Sequence, residues 1–101
     1  MFNTALIRSK KNIVFPVVIR SAMALVSRRL SSLPDTSEIS DVHEKIEICA
    51  ERAVLYSARC AFDTSLSYFN MNMLDASRRK YASAVRYLAS FERGCIHAKL
   101  R

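Results

Sequence analysis

A chain of 101 residues has room for one domain with a thin core, and a composition that is half apolar and a quarter charged excludes a wholly disordered protein. One glycine and two prolines are too few for the tight turns of an all-β domain, which leaves helices. The net charge of +7 is unevenly placed: Arg8, Lys10, Lys11, Arg20, Arg28 and Arg29 fall within residues 1–34 beside no acid, and all nine acids fall in the rest, which is close to neutral. A nucleic-acid reading based on charge therefore rests chiefly on the first third of the chain.

Residues 1–33 read as a basic N-terminal leader. At about 100° per residue, a helix from Val17 to Leu30, entered at Pro16, gathers Arg20, Ser21, Ala24, Ser27 and Arg28 on one side. Val18, Ile19, Ala22, Met23, Leu25, Val26 and Leu30 fall on the other, with Arg29 the exception. Such a segment serves as a secretory signal, as an organelle presequence, or as a retained helix that packs on the protein or rests on a membrane surface. Arg20, between the apolar run ending at Ile19 and the small-residue site Ala22-Met23-Ala24, counts against secretion, and so does an odd number of cysteines. The stretch Arg28-Arg29-Leu30-Ser31-Ser32 resembles the processing sites of mitochondrial matrix presequences. That resemblance implies cleavage near Leu30 and a mitochondrial location; without import the expected location is cytoplasmic. No run approaches the roughly 18 to 20 apolar residues that span a bilayer, so no transmembrane span is expected.

Residues 34–40 form a polar linker that ends in helix-start chemistry, with Ser40 or Asp41 as the cap and Glu44 at capping-box spacing from Asp41. Residues 41–94 are expected to form an antiparallel helical hairpin, completed to a three-helix unit if the leader joins it. In the first helix Val42, Ile46, Cys49, Ala53, Tyr56 and Cys60 recur at alternating steps of four and three, the spacing of an inward-facing stripe. Asp63-Thr64-Ser65 marks a kink or a continuous passage, because these side chains compete for backbone hydrogen bonds. Asn70-Met71-Asn72-Met73 is the expected turn, followed by Asp75 as cap. The second helix shows a stripe of Leu74, Tyr81, Ala84, Val85, Leu88 and Phe91, and Gly94 stands where a helix stop belongs, leaving 95–101 as a tail. Acids at the start of the first helix (Asp41, Glu44, Glu47, Glu51) and bases late in the second (Arg86, Arg93, Lys99) favour antiparallel pairing.

No catalytic residues, cofactor or metal site are expected. Cys49, Cys60 and Cys95 with His43 and His97 lack the closely spaced ligand pairs of a metal centre, and a hairpin offers little concavity for a Cys–His nucleophile. The Cys49–Cys60 pair resembles the paired C-x9-C helical hairpins of the mitochondrial intermembrane space, but the interval here is C-x10-C and a twin pattern needs four cysteines, so both read as small core residues. Leu55-Tyr56-Ser57 resembles the opening of the Leu-Tyr-Arg signature of small mitochondrial assembly and accessory proteins; serine replaces the arginine, and the assignment is not carried over. Two helices leave apolar surface uncovered, so the expected action is contact with a protein partner or a second copy through Tyr81, Val85, Leu88 and Phe91, in the manner of an accessory subunit or assembly factor. The alternative is a small adaptor or regulator, bacterial in type, that binds a protein or a nucleic acid, with Arg78, Arg79, Lys80 and Arg86 touching phosphates and Tyr81 and Tyr87 interleaved.

Overall fold

The structure, a computed structural model, describes the backbone of residues 2–100 and the side chains of residues 15–91. Among them are three helices and no strands: α1 (Phe2–Ser32), α2 (Val42–Asn70) and α3 (Leu74–Leu100), with a 3-10 turn at Thr36–Glu38 inside the linker. The expected all-α class and hairpin are present. α2 pairs with α3, and α1 lies along α2 as a third helix. The path of α1 is antiparallel to α2, since Phe15 meets Phe69 near the end of α2 (ring centroids 5.9 Å) while Arg29 meets Glu51 nearer its start.

Local chemistry accounts for most boundaries. Asp35 accepts the N–H of Ser37 at 3.0 Å, and this bond and the Ser37 side chain hold its carboxyl below the usual range. A depressed carboxyl contributes its capping bond above the ordinary carboxylate range and loses it as pH falls through the lowered value. Asp41 caps α2, accepting the N–H of His43 at 2.9 Å, while its own carbonyl takes the first helical bond from Lys45 at 3.0 Å. α2 then passes through Asp63-Thr64-Ser65 unbroken. Thr64 Oγ1 donates to the Cys60 carbonyl at 2.9 Å, a ladder acceptor one turn back that it shares, and Ser65 bonds to α3, so both hydroxyls are satisfied without breaking the helix.

The turn falls on the expected residues. Met71 N–H reaches the Ser67 and Tyr68 carbonyls at 3.1 Å, and Asn72 adopts φ 60°, the left-handed region that asparagine tolerates better than most residues. Asp75 is not the cap: Met73 supplies the carbonyl that accepts Ser77 N–H at 2.9 Å, and Asp75 sits inside the first turn, where an acid complements the helix dipole.

Two helix boundaries differ from expectation. α1 does not begin at Pro16 but runs through it, at the cost of one backbone bond; Ile19, one turn later, is fully buried. α3 does not stop at Gly94 and continues to Leu100. A lone glycine costs a helix only about 1 kcal/mol relative to alanine, too little to end it by itself. The side chains of Arg93, Cys95, Ile96, His97 and Lys99 lie outside the described residues, so the expected pairing of Arg93 and Lys99 with the start of α2 falls there too. Glu51, one of the acids assigned to that pairing, instead takes a forked bond from Arg29 of α1, Nε to Oε1 at 2.5 Å and Nη2 to Oε2 at 3.0 Å.

The largest correction concerns the inward face of α2. Its buried residues are Ile48, Leu55, Ala58, Phe62 and Ser65, and the expected stripe from Val42 to Cys60 is exposed throughout. Both sets repeat at threes, fours and sevens, so periodicity marks each equally; the inward face is the one on which Leu55 and Phe62 meet apolar residues of α1 and α3. Leu55, Ala58 and Phe62 meet Ile19 and Val26 of α1 and Ala84 of α3, with Met23, Leu30, Leu33 and Leu66 packed around them. At one end of this core Phe15, Phe62 and Tyr81, one from each helix, form a chain of tilted rings with centroids 5.6 and 5.4 Å apart.

α2 and α3 are also joined by a buried polar contact. Ser65 Oγ donates to the Ser77 carbonyl at 2.6 Å and Ser77 Oγ donates to the Ser65 carbonyl at 2.7 Å, with both serines fully buried. Seven residues back along α2 and seven forward along α3 stand Ala58 and Ala84, also fully buried, so small residues line the crossing. Replacing either serine by alanine is expected to cost about 1 to 2 kcal/mol, and replacing both to cost less than the sum, because the bonds are reciprocal. Urea denaturation of the two single variants and the double variant measures that coupling. Phe62→Ala, which empties the aromatic chain, is expected to cost about 3 to 5 kcal/mol in the same assay.

Candidate functional site

With the Leu55 and Phe62 face of α2 turned inward, its opposite face is an uncovered apolar surface that runs along the helix. Val42 is 64% exposed, Ile46 60% and Tyr56 52%, and Cys49, Ala53 and Cys60 between and beyond them are exposed as well. Steps of four, three, four, three and four keep these six on one side of the helix over about 27 Å, at 1.5 Å per residue. It is the seam spacing of paired helices. Cys49 and Cys60 are therefore surface thiols, not core residues, and Tyr56 is not part of the core.

Beside the lower half of this stripe, α2 and α3 leave an open groove of about 440 Å³. Tyr56, Cys60 and Thr64 line it from α2, and Lys80, Ser83 and Tyr87 from α3. The groove continues past Tyr87 towards Arg86 and Ser90. It mixes two aromatic rings, hydroxyls and cations, and it is too open to hold a small reactant away from water.

The residues expected to meet a partner are dispersed. Tyr81 stacks in the aromatic chain and Leu88 packs on the core, Phe91 is half-buried, and Val85 is 43% exposed. The basic cluster is divided as well: Arg78, Arg79, Lys80 and Arg86 are all exposed, but only Lys80 and Arg86 border the groove with Tyr87, and Tyr81 is turned into the core. Ser83 and Thr64 are groove residues that nothing in the sequence signals, whereas Tyr87 was expected among the basic residues and lies beside Lys80 and Arg86. No local signal separates the two faces of α2: Leu55 and Phe62 mark one, and Val42, Ile46 and Tyr56 mark the other at the same periodicity.

Among the described residues no three His, Cys, Asp or Glu side chains gather as metal ligands, and no helix is long and apolar enough to cross a membrane. The chain matches no family model, no curated protein and no solved structure.

The exposure of Cys49 and Cys60 gives a direct check on which face of α2 is outward. In a Cys95→Ser variant both thiols are expected to react with a thiol reagent as fast in the native protein as in denaturant. A native-state rate slower by about a hundredfold or more, as a buried thiol would give, would return the stripe to the interior.

Proposed function

We propose that this protein is a non-catalytic helical adaptor that acts by helix-to-helix contact with a protein partner through the outward stripe of α2. The observation that carries the reading is the unbroken exposure of six apolar residues at seam spacing on a helix whose other face is already packed. Monomeric proteins scatter exposed apolar residues singly, and a contiguous patch of this kind marks an interaction surface. The role of accessory subunit or assembly factor in a larger complex suits such a surface, because binding there completes a layer that the chain cannot complete alone. Nucleic acid is the less favoured partner: the stripe has no use in it, and the basic residues of α3 do not share one face.

The leader enters this reading as a helix of the folded protein. Ile19 is fully buried and Val26 nearly so, and cutting near Leu30 would strip both from Leu55 and Phe62. That supports an α1 that stays with the chain; a mitochondrial location is proposed on the acid-free leader alone. Mass spectrometry of the protein from its own cells is expected to find α1 present. A mature chain beginning near Ser31 would overturn that part and leave cleaved import in its place.

The contact itself is tested by placing a photoreactive residue at Ala53 and illuminating living cells. A discrete protein adduct is expected, and Ile46→Glu should abolish it while leaving helix content and melting temperature nearly unchanged, since Ile46 is 60% exposed. Adducts to RNA from a photoreactive residue at Arg86, with none from Ala53, would favour the nucleic-acid alternative.

A further inference from the structure

The charges that border the stripe identify the chemistry of its partner. Lys45, Arg52 and Arg59 immediately precede Ile46, Ala53 and Cys60, and at a spacing of seven they form one edge of the stripe. Between Val42 and Cys60 that edge carries no acid; Asp63 is the first, one turn beyond Arg59. Arg52 is held there by a bond from its Nη2 to the Pro34 carbonyl at 2.8 Å. His43, Ala50 and Ser57, which follow Val42, Cys49 and Tyr56, form the other edge without a formal charge at neutral pH. Across the groove from that edge stand Lys80 and Arg86 of α3. The lower half of the stripe, from Tyr56 to Cys60, thus has cations on both sides, and the upper half has them on the Lys45 and Arg52 edge, where Asp35 of the linker also feels Arg52.

We infer that the stripe receives an amphipathic helix whose flanking positions are acidic, an inference that rests on the protein-contact reading above and names its partner class. A second copy of this chain fits less well. Antiparallel pairing about a two-fold axis sets the Lys45, Arg52 and Arg59 edge against itself, and parallel pairing sets it against His43, Ala50 and Ser57, where no acid answers it. Like charges at such edges select against a pairing, and unlike charges choose the partner. The middle of the stripe, Cys49 and Ala53, is also small. Two copies in parallel register would place small against small and leave a gap, whereas large aliphatic residues on a different helix fill the space. A nucleic acid would answer the cations but would leave Val42 and Ile46 in water.

The full chain carrying Cys95→Ser is titrated with two synthetic peptides of about three heptads, identical in their leucine seam and bearing glutamate or lysine at the flanking positions. The glutamate peptide is expected to bind at least about tenfold more tightly at low salt, with the preference shrinking as salt is added. It should shield Cys49 and Cys60 from a maleimide. Lys45→Gln with Arg59→Gln should remove the preference without loss of fold, since neither side chain is buried. Equal binding of the two peptides would overturn the acidic requirement and leave the stripe as a contact surface. Concentration-dependent dimers with both thiols shielded and no peptide present would replace the acidic helix with a second copy. A single-stranded oligonucleotide that binds more tightly than either peptide, and is lost on the same double substitution, would overturn both this inference and the protein-contact reading. If neither peptide binds and the thiols stay open, the acidic-helix inference fails, and the crosslink at Ala53 separately decides the contact reading.

Discussion

The reciprocal bond between Ser65 and Ser77 sets the geometry on which the rest depends. Each hydroxyl donates to the carbonyl of the other helix, so the two helices must approach closely at one point and in one register. A slip of one residue would separate both donors from both acceptors and leave two hydroxyls buried without partners, at about 1 to 3 kcal/mol each. Fixed there, the register carries Ala58 towards Ala84 and Phe62 onto Tyr81, and it opens the groove between Tyr56 and Tyr87. Two serines near the turn thus govern which surfaces are available well over a turn of helix away.

α1 completes the core that this register leaves half-built. The hairpin presents Leu55, Phe62 and Tyr81 to one side, and Phe15, Ile19 and Val26 cover them. The forked Arg29–Glu51 bond is at the surface, with Arg29 more than half exposed, so it orients the end of α1 more than it holds it. The seat of α1 is apolar, and that is why a segment with the composition of a targeting leader can also be an integral helix.

How far the fold could be read from the sequence follows from which signals are local. The cap at Asp41 and the turn at Asn72 depend on side-chain chemistry within a few residues, and both were legible. The choice between the two faces of α2 depends on what α1 and α3 bring to it, and periodicity is silent on that because both faces repeat alike. Ser65 and Ser77 were illegible for the same reason: a serine looks polar and outward until its acceptor, twelve residues away, is known. The candidate surface was recovered from the expected stripe itself, with its direction reversed, and of the two aromatic residues assigned to a partner, Tyr81 proved to pack against the core.

The spacing of the outward stripe also restricts the shape of what can lie on it. A pattern that repeats every 3.5 residues on a helix that turns every 3.6 drifts around the axis by roughly 20° in each heptad. Over the two and a half heptads from Val42 to Cys60 the seam shifts by about 40 to 50°, so a straight rod laid along it is centred at one end and off-centre at the other. A partner that winds with the drift, crossing α2 at about +20° in a left-handed sense, covers the steps of the seam more evenly, so the outward face of α2 favours one handedness as well as one chemistry.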